Sequence, residues 1–251
     1  MDFVKMEGLG NDFMVVAGPV EVTAEDVTAW CDRRRGIGAD GVLEVTPLDG
    51  NRVRMRYWNA DGSPAEMCGN GLRCVARYAA VNGLVEGDEF TVDTPVGPRP
   101  AQLRGGARVR VLLGRPRTES GGLDLDGVTV FPVTMGNPHA VMFVEDPGTA
   151  PVGTLGPHLE TAAAFPGGTN VEFARVTGAG AIELRVWERG VGETLACGTG
   201  AAATAFLAHQ QGRVGESVAV RLPGGELLVE LDAAGAWIEG PANFVFSGSI
   251  G

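Results

Sequence analysis

A duplication is the strongest constraint on how this chain can fold. In WNADGSPAEMCGNG and WERGVGETLACGTG, Trp58 and Trp187 are each followed ten residues later by Cys-Gly-x-Gly, at an offset of 129. Upstream, LGNDFMVV around Asn11 matches MGNPHAVMFV around Asn137 at an offset of 126, and GIGADGVLEV (36–45) matches GGTNVEFARV (167–176) at an offset near 130. Three landmarks in one order mark a repeated supersecondary unit. The 251 residues, 44% hydrophobic, suffice for two modest cores. The first copy ends near Leu113, which the offset maps to about Gly240. The expected domains are therefore 1–113 and 114–240, with PANFVFSGSIG (241–251) returning to pair with the first.

Each copy reads as α+β. FVKMEG and DFMVVA look like two short strands, and TAEDVTAWCDRR like a helix whose Thr23 and Asp26 suit its first turn. Val27, Trp30, Cys31 and Arg34 recur there at helical spacing. GVLEVTP and RVRMRYW resemble a hairpin across LDGN. The spacing of Leu72, Val75, Ala76 and Ala79 predicts a helix over 69–81, closed by Asn82 and Gly83. EFTVDT and ARVRVLL follow as strands. The second copy repeats the pattern with strands in VTVFPVTM and AVMFVE, a helix over 155–165, strands at 171–176 and 182–187, and a helix over 198–211.

Charge and composition exclude several classes. With a net charge of −11 and basic residues scattered except at Arg33, Arg34 and Arg35, no nucleic-acid footprint is expected. That triplet reads as a solvated helix end. No stretch approaches the ~18 apolar residues of a membrane span, and the N-terminal residues lack an export pattern, so a cytoplasmic location is expected. Cys31, Cys68, Cys74 and Cys197 are then reduced thiols rather than staples. Cys31 and Cys74 fall on inward helix faces and read as core. No metal is expected, because Cys68, Cys74 and a distant His139 lack the spacing of a zinc site.

Cys68 and Cys197 are different. Each precedes Gly-x-Gly at a helix start, where bare backbone and a positive dipole end favour an anion and favour thiolate over thiol. The N–H groups of Gly69 and Asn70, and of Gly198 and Thr199, are candidate donors to a carboxylate. If the duplicated domains face one another, the carbon beside that carboxylate lies between two sulfurs. Such a site suits racemisation or epimerisation, one sulfur removing a proton while the other delivers one to the opposite face. The α-proton is far less acidic than a thiol at ~8.5, and each unit of mismatch costs about 1.36 kcal/mol. Two helix ends aimed at the carboxylate in a dry cleft are the available compensation. No pyridoxal site is visible, so no cofactor is expected. A thiol redox protein is the alternative on the residues alone.

GLGNDF, NADGSPAEMCGNGLRC, MGNPHAV, GGTNVEF and WERGVGETLACGTGAAA together resemble the diaminopimelate epimerase family across nearly the whole chain. The resemblance implies two pseudosymmetric domains, each a mostly antiparallel sheet wrapped around a central helix, and a homodimer. It implies cofactor-independent interconversion of LL- and meso-diaminopimelate for lysine and peptidoglycan precursors, with Cys68 and Cys197 as the acid/base pair. It also places His139 and Glu188 near the sulfurs, where they adjust thiol ionisation. Asn11, Asn59, Asn137 and Asn170 become substrate-binding amides, Glu188 an acceptor for ammonium, and Arg189 the fork for the distal carboxylate. The Asn of CGNG favours this family over proline racemases, which tend to carry His there. A racemase of another amino acid, such as histidine, is the related alternative, and the set of asparagines with Arg189 argues for diaminopimelate. One position departs from the pattern: some members carry Gln after GAD, where this chain has Gly41.

Overall fold

The structure, a computed structural model, describes residues 1–65, 67–118 and 121–251. They divide into two compact units, Met1–Val111 with Gly240–Gly251, and Leu112–Glu239.

The first unit begins with β1 (Asp2–Gly8), β2 (Asn11–Ala17), α1 (Ala24–Cys31), β3 (Gly41–Leu48), β4 (Arg52–Asn59) and α2 (Gly69–Val81). Strands β5 (Glu89–Thr94), β6 (Gly97–Leu103) and β7 (Arg108–Gly114) follow. The second unit holds β8 (Leu123–Leu125), β9 (Val128–Thr134), β10 (Pro138–Phe143), α3 (Val152–Glu160), β11 (Asn170–Gly178) and β12 (Ala181–Glu188). It continues through β13 (Gly192–Thr194), α4 (Gly198–Gln210), β14 (Ser217–Leu222), β15 (Gly225–Asp232) and β16 (Gly235–Pro241). The last strand, β17 (Asn243–Ser249), runs antiparallel to β1, Asp2 facing Ser249.

Both units pair their strands the same way. In the first the order is β17, β1, β2, β3, β4, β5, β6, β7, antiparallel except between β2 and β3 and between β4 and β5. Those two parallel steps need crossovers, which α1 and α2 supply. In the second, β9, β10, β11, β12, β14, β15 and β16 repeat the order, parallel only at β10 with β11 and β12 with β14, where α3 and α4 cross over. Strands β1 to β6 all touch α2, and β9 to β12, β14 and β15 all touch α4, so each sheet curls around its second helix. Such a helix must be apolar nearly all round. On α4, Ala201, Ala202, Ala203, Ala205 and Ala208 are buried, as are Leu72, Cys74, Val75, Ala76 and Ala79 on α2. The first helices cover the outer faces: Val27 and Cys31 pack with Met14, Val16 and Val42, and Val152 and Leu159 with Met142, Val171 and Phe173. Each unit is the α+β sheet around a helix that the family resemblance implies.

Two helices differ from their sequence readings. α1 starts at the expected capping box of Thr23 and Asp26 but ends at Cys31. The Arg33–Arg35 triplet follows the helix in an exposed turn, where the Arg33 guanidinium bonds Asp12 and Asp40, each at 2.7 Å. α3 begins at Val152, after Pro151, and stops at Glu160 rather than reaching Phe165. Glu160 is held there by Trp187 Nε1 at 2.6 Å and the Gly190 N–H at 2.8 Å, and residues 161–168 form turns.

Candidate active site

Cys68 and Cys197 stand in the same local position of the two units. Each is the N-cap of its central helix, with extended backbone (φ −144°, ψ 115° and φ −118°, ψ 111°). Each sulfur accepts the N–H three residues on, from Gly71 at 3.4 Å and Gly200 at 3.3 Å. A thiol thus takes the place that Ser, Thr or Asp usually fills. The next residues, Gly69 and Asn70, and Gly198 and Thr199, are buried in the first turns.

Around Cys68 the hydrogen bonds orient one amide. Asn11 Nδ2 donates to Asp40 at 2.6 Å, which turns Asn11 Oδ1 towards Cys68 Sγ (3.5 Å) and Asn70 Nδ2 (3.4 Å). Asp40 is itself held by Arg33, and Asp12 by Arg33 and the buried Lys5. Asn70 Oδ1 accepts from Arg73 Nη2 at 2.9 Å. Arg73 has no solvent exposure and also donates to the carbonyls of Gly69 and Pro241, at 3.2 and 3.3 Å. Burial lowers its pKa to about 10.

Cys197 is buried in a different setting. Its sulfur lies 3.5 Å from Thr199 Oγ1, which accepts from Asn137 Nδ2 at 3.3 Å. Asn137 Oδ1 is 3.2 Å from His139 Nε2, and His139 Nδ1 is 2.6 Å from Glu172 Oε1. Glu188 accepts from Thr194 Oγ1 at 2.6 Å, and its charge acts on Cys197. Burial pushes the Cys197 thiol well above its ordinary range, and the carboxylates of Glu188 and Glu172 add to this. The expectation that a helix start favours thiolate therefore fails here, because burial and two carboxylates outweigh the Gly200 N–H and Thr199. Burial also raises Glu188, against the bond from Thr194.

Of the remaining candidates, Asn170 and Arg189 are held by backbone. Asn170 Nδ2 donates to the Pro138 carbonyl (2.9 Å), and its Oδ1 accepts the Arg189 N–H (3.0 Å). The Arg189 guanidinium is exposed and donates to the Gly167 carbonyl at 3.1 Å. Asn59 ends β4 opposite Gly41 and donates to Ser63 Oγ at 3.0 Å. Gly41 has no room for a side chain: a Cβ would collide with the Trp58 carbonyl and stand 2.5 Å from Tyr57 Cε2. Cys31 and Cys74 are buried core thiols, pushed by burial up to about 11 and about 12.

The sequence reading missed Glu172 and Arg73. Glu172 is a wholly buried acid between Val171 and Phe173, and an acid flanked by two apolar residues in a strand was its signal. Parallel register explains its place: Phe13 pairs with Gly41 as His139 pairs with Asn170, so Leu43 under α2 corresponds to Glu172 under α4. Among the described residues, no group of three or more His, Cys, Asp or Glu could hold a metal ion, and no helix is long and apolar enough to cross a membrane. A depression of about 650 Å³ beside α1, lined by Glu25, Thr28, Asp32, Arg35 and Asp61, contains none of the candidates.

The fold is of the class seen in solved structures of epimerases and phenazine biosynthesis proteins. It resembles a Bacillus anthracis phenazine biosynthesis protein of the PhzF family (TM-score 0.77, 17% identity, 100% of this chain and 98% of that one). It also resembles an Agrobacterium vitis hydroxyproline epimerase with bound trans-4-hydroxy-L-proline (TM-score 0.74, 18% identity, 99% and 91%). At such identities the likeness is one of fold. Sequence is more specific: the diaminopimelate epimerase model matches residues 3–119 and 131–245. Diaminopimelate epimerases of Desulforudis audaxviator and Moorella thermoacetica are each 45% identical, over 99% and 100% of this chain and 98% and 99% of theirs. The chain belongs to the diaminopimelate epimerase family.

Proposed function

We propose that this chain interconverts LL- and meso-diaminopimelate without a cofactor, with Cys68 and Cys197 as the acid and base. One sulfur, as thiolate, removes the α-proton, the other, as thiol, supplies one to the opposite face, and the roles exchange in the reverse direction. The observation that carries this reading is the occurrence of cysteine at the N-cap of both central helices, within a family match along nearly the whole chain. The raised Cys197 thiol suits the proton donor. N–H groups of Gly69, Asn70, Gly198 and Thr199 are assigned to the substrate carboxylate, where helix ends stabilise charge that grows as the proton leaves. Asn11, Asn59, Asn137 and Asn170 line the binding residues, Glu188 accepts from ammonium, and the exposed Arg189 fork takes the distal carboxylate. A cytoplasmic homodimer serving lysine and peptidoglycan precursors completes the reading, and sedimentation at several concentrations tests the dimer.

The test is incubation of the pure protein with LL-diaminopimelate in deuterated water. The meso isomer should form with deuterium at one α-carbon and no added cofactor, and Cys68→Ala and Cys197→Ala should each abolish it. A wild-type protein that neither exchanges nor epimerises rejects the proposal.

A further inference from the structure

Arg189 stands in a tight turn. The Val191 N–H donates to the Glu188 carbonyl at 3.1 Å, and Gly190 takes φ +73°. A positive φ confined to the third of the four residues is the type II pattern, whose middle peptide unit is turned over relative to type I. Glycine by itself tolerates either orientation. Here the choice is made by an acid outside the turn. The Gly190 N–H donates to Glu160 Oε1 at 2.8 Å, and Trp187 Nε1 donates to Glu160 Oε2 at 2.6 Å. One carboxylate therefore grips the residues on either side of Glu188 and Arg189.

The backbone of Glu160 holds the other half of the arginine's seat. Its carbonyl accepts the Thr169 N–H at 3.2 Å, just past Gly167 and Gly168. The Arg189 side chain lies across those glycines: Nη1 donates to the Gly167 carbonyl at 3.1 Å, and a Cβ on Gly168 would stand 3.0 Å from Arg189 Cδ. Glu160 thus fixes both the turn that carries the guanidinium and the loop on which its stem rests. The fold does not demand an acid at this place. At the offset of 129 its counterpart is Cys31, the last residue of α1, which shares a core cluster with Trp58. The chain after Trp58 closes on itself instead, Asn59 Nδ2 donating to Ser63 Oγ at 3.0 Å and the Ser63 N–H to Asp61 at 2.9 Å. The acid occurs only in the unit whose turn carries an arginine.

We propose that Glu160 is a positioning residue for substrate binding: it clamps the Arg189–Gly190 peptide unit and the 167–169 loop together, so that the Arg189 fork is presented to an anionic substrate group. A side chain that leaves a fixed turn and crosses a fixed loop loses less freedom on binding, which raises affinity without a new contact. The contribution is to binding and not to the proton transfer. That the anion is the distal carboxylate of diaminopimelate rests on the function proposed above; the clamp itself does not.

Two variants of the full chain separate the clamp from packing. Glu160→Leu removes both acceptors, whereas Trp187→Phe removes the indole donor and leaves Glu160 on Gly190. Without substrate, amide hydrogen exchange read by NMR should be about tenfold faster at Gly190 in Glu160→Leu and unchanged there in Trp187→Phe. With LL-diaminopimelate, Glu160→Leu should raise KM about tenfold and leave kcat within about twofold, the pattern of lost uniform binding. Trp187→Phe should melt lower through lost packing yet keep the wild-type KM. In an Arg189→Ala background, Glu160→Leu should change KM by less than about twofold, because the fork it positions is gone. Should Glu160→Leu fail to fold, Glu160→Ala loses the same two bonds and is read in the same way. Equal Gly190 exchange in wild type and variant overturns the clamp. The same KM rise in Trp187→Phe, or an undiminished one in the Arg189→Ala background, overturns its action through Arg189. A wild-type protein that does not epimerise rejects the proposed function alone and leaves the Gly190 measurement to decide the clamp.

Discussion

Gly200 leaves the space that the Glu172 carboxylate fills: a Cβ there would stand 2.7 Å from Glu172 Oε1. The corresponding atom on Gly71 would come no nearer than 3.3 Å to its closest neighbour, Leu43 Cδ2. Glu172 cannot withdraw without breaking its bond to His139, whereas a leucine terminus can turn. Replacing a helical glycine by alanine gains about 1 kcal/mol in propensity, and overpacking costs about 1–3 kcal/mol. Gly200→Ala should therefore lower stability by up to about 2 kcal/mol and Gly71→Ala leave it level or raise it. Thermal melts of the two proteins decide this, and equal effects would show that the residues under α2 and α4 do not differ as described.

The unequal residues under α2 and α4 also show where sequence reading reaches its limit. The bounds of α2 were legible because a Cys-Gly entry and an Asn82-Gly83 exit bracket an apolar face, and the start of α1, though not its end, because Thr23 and Asp26 form a capping box. α3 was misplaced because proline can begin a helix as well as end one, so Pro151 and Pro157 left its limits open. The helix-start cysteines could be found from local context. Glu172 could not be assigned to Cys197 that way, since its place depends on a parallel register between β10 and β11 that no turn signal encodes. Arg73 was hidden for a similar reason: its acceptors include Pro241, from the far end of the chain.

Arg73 ties that distant segment to the Cys68 helix. Its guanidinium, with no solvent exposure, donates to Gly69, Asn70 and Pro241, and none of those partners is a carboxylate. Arg73→Leu keeps most of the volume but strands three buried acceptors, each worth about 1–3 kcal/mol, so a loss of about 3 kcal/mol is expected. Hydrogen exchange should rise first in 241–249, the stretch that loses its anchor. Uniform loosening of the whole first unit would contradict this.

Asp12 gives stability a defined pH dependence. Burial alone would raise its carboxyl, but hydrogen bonds and charge from Arg33 and Lys5 bring it to about 2 from 3.8. A depressed acid stabilises fully above pH 3.8, and the contribution is lost as pH falls from there through about 2. At most about 2 kcal/mol is involved, reduced by salt because the Arg33 side chain is 58% exposed. Asp12→Asn should be less stable than wild type at pH 6, with the gap closing as the pH approaches 2. Denaturant titrations across that range test the point, and a gap independent of pH would be inconsistent with the ion pairs.

Gly41 carries the last prediction. Some family members have glutamine here, which invites its restoration, yet the Tyr57 ring occupies the space and packs edge-on against Phe13 at 5.9 Å. The Trp58 carbonyl blocks the same direction, and it belongs to the paired strand β4 and cannot swing aside. Gly41→Gln should cost about 2–3 kcal/mol, the upper range for overpacking without repacking. Adding Tyr57→Ala removes the ring but not the carbonyl, so it should recover less than half of the loss. Melting both variants separates the obstacles: full recovery would make the ring the sole barrier, and a stable single variant would mean that β3 and β4 part more readily than their pairing from Gly41–Asn59 to Leu48–Arg52 implies.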